Sequence, residues 1–257
     1  MLLVIDIGNT NLSIGIFKDD ELIFTSRLAT AARRTADQYA LELHYSTLLK
    51  SINIKEVSGA IISSVVPELT NTVKEAIRLL TGVVPLVLGP GIKSGINIKI
   101  DNPAQLGADF VAGAVGAVEM FPLPCLLMDL GTATKISVID EEGSFRGCTI
   151  SPGVGISVSA LSSKASLLPS LNLSVAECPA FGTNTVASMQ AGIIRGTAAM
   201  LDGLCDGIEE ALGQKIKCFA ATGGLGENIV KYCRHEVIYE PDLLLFGLKS
   251  IYEKNIK

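Results

Sequence analysis

Two short polar segments, each directly after an apolar run, carry residue types that could do chemistry. They read Asp6-Ile7-Gly8-Asn9-Thr10-Asn11 and Asp129-Leu130-Gly131-Thr132-Ala133-Thr134, and both follow the pattern D-aliphatic-G-polar-x-polar. A turn of glycine and small polar residues exposes backbone N–H groups, which can bind phosphate oxygens. The strand-end carboxylate suits a cation or a cation-bound water. One such segment alone is more often an ordinary turn in which Asp bonds nearby backbone, but the repetition favours phosphate binding.

A third segment supports a nucleotide site. Ala221-Thr222-Gly223-Gly224-Leu225-Gly226 follows a strand-like run and precedes a helix-like one. Glycines at such a place let a flat group such as adenine or ribose approach the backbone, although many glycines after strands only form turns. Together, the three segments predict two phosphate turns that face each other across a nucleotide-binding cleft.

These polar segments need a sheet to position them. In the first half, we predict strands at 2–7, 12–17, 21–28, 59–66 and 84–89, and helices at 35–51 and 67–81. Apolar residues of the second helix recur at three- and four-residue spacing along one face: Leu69, Val73, Ile77 and Leu80. This order of hairpins followed by alternating helix and strand predicts a mixed α/β sheet.

The second half of the chain repeats this plan. Residues 124–147 read as strand, polar turn, strand, acidic turn and strand. Ala- and Gly-rich segments follow at 187–212, then a strand at 216–222 and a closing helix at 243–254. The repeated order predicts a duplicated α/β fold with two lobes, in which mixed sheets flanked by helices surround a nucleotide cleft.

No linker rich in Gly, Ser or Pro separates the two halves. The apolar, Ala-rich helix from residue 107 to about residue 120 is the expected crossing element. We therefore predict an N-terminal lobe at 1–117 and a C-terminal lobe at 118–257.

Composition excludes several classes of function. Of the 257 residues, 48% are apolar and 18% are charged, which predicts a packed core rather than disorder. The net charge is −5, no segment concentrates Lys and Arg, and Trp is absent, so no nucleic-acid partner is expected. The most apolar region, 110–128, is interrupted by Glu119, Pro122 and Pro124, so no membrane partner is expected. The six scattered cysteines lack zinc-ligand spacing and are expected to be buried thiols of a cytoplasmic protein.

Segments along nearly the whole chain resemble the type III pantothenate kinase family, which lies in the acetate and sugar kinase, Hsp70 and actin superfamily. They occur in family order at 6–15, 33–40, 62–69, 101–109, 129–134, 150–161, 182–192, 221–229 and 241–255. The resemblance implies a duplicated ribonuclease H-like (actin-like ATPase) fold. It also implies ATP-dependent phosphorylation of pantothenate to 4'-phosphopantothenate, the first step of coenzyme A biosynthesis. A homodimer that uses ATP, Mg²⁺ and a monovalent cation, K⁺ or NH₄⁺, is implied as well.

The resemblance also implies roles for individual residues. Asp109 would be the catalytic base, Asp129 would hold the monovalent cation, and Asp6 would hold Mg²⁺ through water. The residues that bind ATP would be Asp6, Ile7, Gly8, Asn9, Thr10, Asn11, Leu12, Ser13, Gly131, Thr132, Gly223 and Gly224. Those that bind pantothenate would be Ile100, Gly107, Ala108, Asp109, Phe110 and Thr185, the last reaching the neighbouring protomer's substrate. Outside the motif, Asp109 would be an ordinary carboxylate at a helix N-terminus.

The acceptor side departs from the family pattern. Phe110 stands where the family has arginine, and a phenyl ring cannot bond a carboxylate. Ile100 stands where tyrosine is frequent, while Lys135 or Arg146 could supply the missing charge. Three hypotheses follow: a pantothenate kinase with an altered pocket, a kinase for another small hydroxylated acceptor, and a non-catalytic nucleotide-binding regulator. Retention of the three motif aspartates favours the first two.

Overall fold

The structure is a computed structural model, and it describes residues 1–165, 167–173 and 177–256. The chain packs into two compact units. The first unit comprises Met1–Ile96, Asp101–Glu119 and the segment from Leu243 onward, and the second comprises Asn97–Ile100 and Met120–Asp242. The predicted boundary between residues 117 and 118 stays a prediction. The closing helix belongs to the first unit.

Each unit begins with three consecutive strands, which are followed by helices with further strands between them. The strands are β1 (Leu2–Ile7), β2 (Asn11–Lys18), β3 (Glu21–Ala29), β4 (Gly59–Ser64), β5 (Leu86–Val87), β6 (Cys125–Leu130), β7 (Ala133–Ile139), β8 (Phe145–Pro152), β9 (Cys218–Thr222) and β10 (Val237–Tyr239). The helices are α1 (Ala36–Leu48), α2 (Pro67–Thr81), α3 (Ala108–Met120), α4 (Val154–Lys164), α5 (Thr185–Gln190), α6 (Gly196–Leu212), α7 (Gly226–Val230) and α8 (Leu243–Asn255). A π-helical turn at Ala191–Arg195 joins α5 to α6.

Each unit contains one mixed sheet, and the two sheets share one strand order. Over the described residues, the first sheet runs β3-β2-β1-β4-β5 and the second runs β8-β7-β6-β9-β10. In both sheets the first three strands pair antiparallel, and the last two join in parallel. The predicted duplication and the predicted class, mixed sheets flanked by helices, are confirmed.

Strand β1 is the central strand of the first sheet, between β2 and β4. Helices cover this sheet. Leu3, Val4 and Ile5 are fully buried, which is typical of a strand covered on both faces. Helix α8 packs closely on this sheet, since a Cβ added to Gly59 would lie 2.0 Å from the Tyr252 hydroxyl oxygen. The closing helix therefore completes the core of the first unit.

Helix α2 has the predicted bounds. Pro67 stands in its first turn, where a missing N–H costs nothing, and Gly82 ends it at φ +76°. The buried residues on the predicted face are Leu69, Val73 and Ile77. Ala76 completes that face, and Leu80 packs at its margin.

Three predicted strands are longer than the observed ones, and the one predicted at 216–222 begins only at Cys218. Strand β4 ends at Ser64 because the Ser64 hydroxyl accepts the Val66 N–H at 3.1 Å and turns the chain into α2. The segment predicted at 84–89 pairs only over β5, and Val84 is 64% exposed.

Side-chain burial corrects one expectation about the cysteines. The buried thiols are Cys125, Cys178, Cys205 and Cys218. Cys148, in contrast, is exposed, because it lies on the outward face of β8, an edge strand. Within the described ranges, no helix has the length and apolar character required to cross a bilayer.

Candidate active site

The first polar turn joins β1 to β2 and follows Asp6 near the carboxyl end of a central strand. In register, Asp6 lies opposite Ser13 of β2 and Ser63 of β4. A hydrogen bond of 3.0 Å from the Gly8 N–H to the Asn11 carbonyl oxygen closes the turn. Sheets of this kind bind ligands beyond the carboxyl ends of their parallel strands, so the turn lies at a binding edge.

Exposure divides the predicted ATP-binding segment into two groups. Ile7 and Leu12 are fully buried, so they can offer a ligand only backbone atoms. The exposed members are Asn9, Thr10 and Asn11, and the half-buried members are Asp6, Gly8 and Ser13. Thr30, which follows β3, fixes the turn by donating its hydroxyl to the Gly8 carbonyl oxygen at 2.6 Å. Sequence reasoning missed this contact because Thr30 lies outside the motif.

The second polar turn joins β6 to β7 and is one residue shorter than the first, because two residues rather than three separate its paired strands. The Gly131 N–H closes this turn by donating at 3.1 Å to the carbonyl oxygen of Ala133, two residues on, whereas the Gly8 N–H donates to a residue three positions on. Gly131 and Thr132 are exposed at its tip, whereas Thr134 is buried. The turn therefore presents its backbone and the Thr132 hydroxyl.

Two glycines from other elements pack directly against the second turn. A Cβ added to Gly153, which precedes α4, would lie 2.1 Å from the Thr132 carbonyl oxygen. A Cβ added to Gly223 would lie 2.6 Å from the Leu130 carbonyl oxygen, and Gly223 also has φ +95°. Both positions therefore require glycine for packing. The role of Gly153 was missed, because a single glycine before a helix does not indicate what it packs against.

Tyr239 of β10 holds the loop that contains the late glycines. Its hydroxyl donates to the Gly223 carbonyl oxygen at 2.8 Å, and its ring covers Gly226. Gly224 between them is exposed. The contacts of Tyr239 fix the backbone of this loop. The predicted adenosine contacts of Gly223 and Gly224 stay predictions.

Asp129 contacts a lysine. Lys135 lies opposite it in the β6–β7 register, and its Nζ is 2.6 Å from the Asp129 Oδ2. Arg146, the other cation suggested as a substitute for the missing arginine, lies 3.4 Å from Asp140. Both cations are thus engaged with aspartates of the second unit.

Asp109 is the second residue of α3, and Gly107 makes room for its carboxylate. Its Oδ1 accepts the Phe110 N–H at 2.9 Å. A Cβ added to Gly107 would lie 2.5 Å from that oxygen and 3.5 Å from Cδ2 of the Phe110 ring. Ala108 and Phe110 are half-buried beside it. Gly107 therefore leaves the space that the Asp109 carboxylate occupies in this conformation.

The remaining predicted acceptor residues, Ile100 and Thr185, belong to the second unit, whereas Asp109 belongs to the first. Ile100 is half-buried. Thr185 is exposed at the start of α5, which Asn184 caps by accepting the Ala187 N–H at 3.0 Å.

The shared strand order and the two glycine turns after strand-end aspartates define a class of protein. The chain is similar to component A of the (R)-2-hydroxyglutaryl-CoA dehydratase of Acidaminococcus fermentans, at 17% identity and a TM-score of 0.59, with 100% of this chain and 99% of that one covered. It is also similar to a Baf family protein from Campylobacter jejuni, at 21% identity and a TM-score of 0.63, with 98% of each chain covered. The fold is the predicted duplicated ribonuclease H-like fold of actin-like ATPases and kinases.

Sequence comparison narrows this class. The family model of type III pantothenate kinase matches residues 2–207. A type III pantothenate kinase of Halalkalibacterium halodurans is 37% identical over 256 residues, with 100% of both chains covered. One of Shouchella clausii is 39% identical over 256 residues, covering 99% of this chain and 100% of the relative. The chain belongs to the type III pantothenate kinase family.

Proposed function

We propose that this chain transfers the γ-phosphoryl group of ATP to the primary hydroxyl of pantothenate, in the first step of coenzyme A biosynthesis. The observation that carries the proposal is full-length similarity, at 37% and 39% identity, to two type III pantothenate kinases. The two turns and the Gly-Ala-Asp helix start agree with phosphoryl transfer, which depends mainly on positioning and charge neutralisation.

The first turn is our proposed site for ATP phosphates and Mg²⁺. Its exposed backbone and the side chains of Asn9, Thr10 and Asn11 suit phosphate oxygens, while Ile7, Gly8, Leu12 and Ser13 contribute backbone or positioning. Mg²⁺ typically keeps several waters and takes only one or two carboxylates. Among the described residues, no group of three or more acidic, His or Cys side chains is placed to hold a metal ion, so Asp6 fits a water-mediated contact better than an all-protein cage.

The second turn is proposed to add nucleotide contacts. Gly131 and Thr132 are exposed at its tip and can donate to phosphate oxygens. Gly223 and Gly224 are assigned to the adenosine, because the loop after β9 exposes backbone without side-chain bulk.

Asp109 is our proposed catalytic base. The Phe110 N–H fixes one of its carboxylate oxygens, which orients the group to accept the hydroxyl proton late in the transfer. Gly107, Ala108 and Phe110 would shape the acceptor pocket, with Ile100 as a further contact. An apolar ring at position 110 makes that pocket less basic than the family pattern.

We also propose that the protein is a cytoplasmic homodimer in which Thr185 reaches the partner's substrate. Two large apolar side chains flank Thr185 and are exposed, Phe181 at 77% and Val186 at 44%. Exposed apolar side chains beside a polar functional residue suit an interface between protomers. The free cysteines agree with a reducing compartment.

The test compares Asp109→Asn with Asp37→Asn in ADP release assays with ATP, Mg²⁺, K⁺ and pantothenate. Asp37 is a matched control, because it is likewise the second residue of a helix that begins with alanine. We expect Asp109→Asn to lower kcat by about 10²–10⁴, the usual contribution of a positioned base. Asp37→Asn should keep wild-type turnover.

Each other outcome identifies the part of the proposal that fails. Undiminished turnover by Asp109→Asn would show that Asp109 is not the base. Binding of ATP without turnover of pantothenate would refute pantothenate as the acceptor. It would favour another small hydroxylated substrate, which agrees with the apolar Phe110 in place of the family's arginine. Failure with a panel of such alcohols would favour a nucleotide-binding regulator.

A further inference from the structure

The ammonium group of Lys135, on β7, lies directly beside the second turn. The Lys135 Nζ lies 2.6 Å from the Asp129 Oδ2, and the two side chains are only 12% and 20% exposed. Since they lie directly opposite each other on neighbouring strands, both project from the same face of the sheet. The pair is therefore set by strand register and is not an accidental surface contact.

The first unit provides an internal comparison, because its strand order is the same. There, Asp6 occupies the place of Asp129, and the residue opposite it on β2 is the neutral Ser13. The lysine is thus particular to the second turn. On β8, the residue opposite Lys135 is the apolar Ile150. Of the two cross-strand neighbours of Lys135, Asp129 is therefore the acidic one.

We propose that the Lys135 ammonium is a tethered monovalent cation, which gives Asp129 and the second turn the single positive charge that a bound K⁺ or NH₄⁺ would otherwise supply. Nucleotide binding by this chain is then independent of K⁺. The inference rests on the proposed function and deepens it. Lys135 acts as a positioning residue, which keeps the carboxylate from repelling nucleotide phosphates at the neighbouring turn.

Charge and geometry argue against a separate cation at Asp129. An ammonium carries one positive charge and three donors, so it can serve a carboxylate and another oxygen at once. A second monovalent ion on the same carboxylate would lie within a few ångström of the Lys135 Nζ, and the repulsion is strong where exposure is low. The Lys135 ammonium already occupies the position beside the Asp129 carboxylate that a bound K⁺ would take. The residues around Asp129 therefore do not fit a separate K⁺.

The test measures binding of a non-hydrolysable ATP analogue with Mg²⁺ by calorimetry, in KCl and in tetramethylammonium chloride at equal ionic strength. We expect the wild-type Kd to be the same in both salts. Lys135→Thr removes the ammonium and leaves space, so its Kd should rise by about tenfold or more in tetramethylammonium and recover in KCl. Recovery by an ion is a result that a purely structural role would not produce.

Lys249→Thr is the matched control. Lys249 is also 12% exposed, and it pairs with Asp20 at 2.8 Å and Glu253 at 2.7 Å in the first unit. We expect its nucleotide Kd to match the wild-type value in both salts. Thermal unfolding without nucleotide checks that each variant folds, and the wild-type comparison needs no variant.

Two outcomes overturn the inference while leaving the proposed function intact. One is a wild-type Kd that falls when K⁺ replaces tetramethylammonium. The other is a folded Lys135→Thr protein that binds nucleotide equally well in both salts. If the wild-type protein binds no nucleotide in KCl and none in tetramethylammonium chloride, the proposed function is overturned, and the inference with it.

Discussion

Replacing Gly153 by alanine should damage the second turn through one steric contact. Gly153 has φ −68° and ψ 158°, an extended conformation that alanine adopts without strain. Its added Cβ would lie 2.1 Å from the Thr132 carbonyl oxygen and 2.6 Å from the Gly131 carbonyl oxygen. The backbone conformation therefore tolerates alanine, and only the close approach to the turn forbids it.

The size of the effect follows from these distances. Ordinary non-bonded contacts between heavy atoms lie at about 3.5 Å, so the turn or the start of α4 must move by roughly 1 Å or more. Overpacking of this kind costs about 1–3 kcal/mol in the free energy of unfolding. For a chain of this size, Tm falls by about 2–4 °C per kcal/mol, which predicts a decrease of roughly 2–12 °C. A reacting group misplaced by about 1 Å can also lower the rate by about 10²-fold.

Gly155→Ala is the matched control for this experiment. Gly155 lies two residues further on in α4, is exposed, and an added Cβ there meets no atom within 4 Å. Its Tm should be unchanged or higher, because alanine favours helix over glycine by about 1 kcal/mol. The assays are differential scanning calorimetry and steady-state kinetics with ATP and pantothenate. Equal Tm and kcat/KM for the two variants would refute the steric reasoning.

Two further predictions concern Asp140 and Phe110. Burial opposes ionisation of Asp140, but the Ser144 N–H and the Arg146 guanidinium outweigh it, so the pKa of this carboxyl lies below its usual range. Its contribution to the free energy of unfolding is therefore present above the unfolded pKa of ~3.9 and lost as pH falls through the folded value. Urea unfolding should show Asp140→Asn less stable than wild type near neutral pH by roughly 1–3 kcal/mol, with convergence in acid; parallel pH profiles would contradict this. Phe110→Arg should lower the KM for pantothenate by about tenfold or more, because a guanidinium bonds a carboxylate, and an unchanged KM in steady-state assays would exclude position 110 from acceptor binding.

The duplication and the two turns could be predicted because their signals are local. A strand, a glycine turn after an aspartate and a second strand depend on residues adjacent in sequence. Strands β1 and β2 lie within one residue of the predicted segments 2–7 and 12–17, and β6 and β7 lie inside the predicted strand-turn-strand run at 124–147. The bounds of α2 were predictable for the same reason, since Pro67 and Gly82 mark its two ends.

Contacts between distant segments could not be predicted in this way. The closing helix joins the first unit because Gly59 leaves room for Tyr252, two residues far apart in sequence. The approach of Gly153 to Thr132 likewise depends on how α4 leaves β8, for which no sequence period gives a signal. The sequence indicates Lys135 only as a substitute for the missing arginine charge, and its pairing with Asp129 depends on the strand register.

One cross-strand position distinguishes the two turns in charge, beside their one-residue difference in length. The residue opposite the strand-end aspartate is Ser13 in the first unit and Lys135 in the second. A divalent ion needs negative charge from its ligands, and the lysine neutralises that charge at Asp129. This pairing agrees with our proposal that Mg²⁺ binds at the first turn and that the second turn contributes nucleotide contacts. The cross-strand residue is therefore a second difference between the duplicated turns, beside their length and closing hydrogen bond.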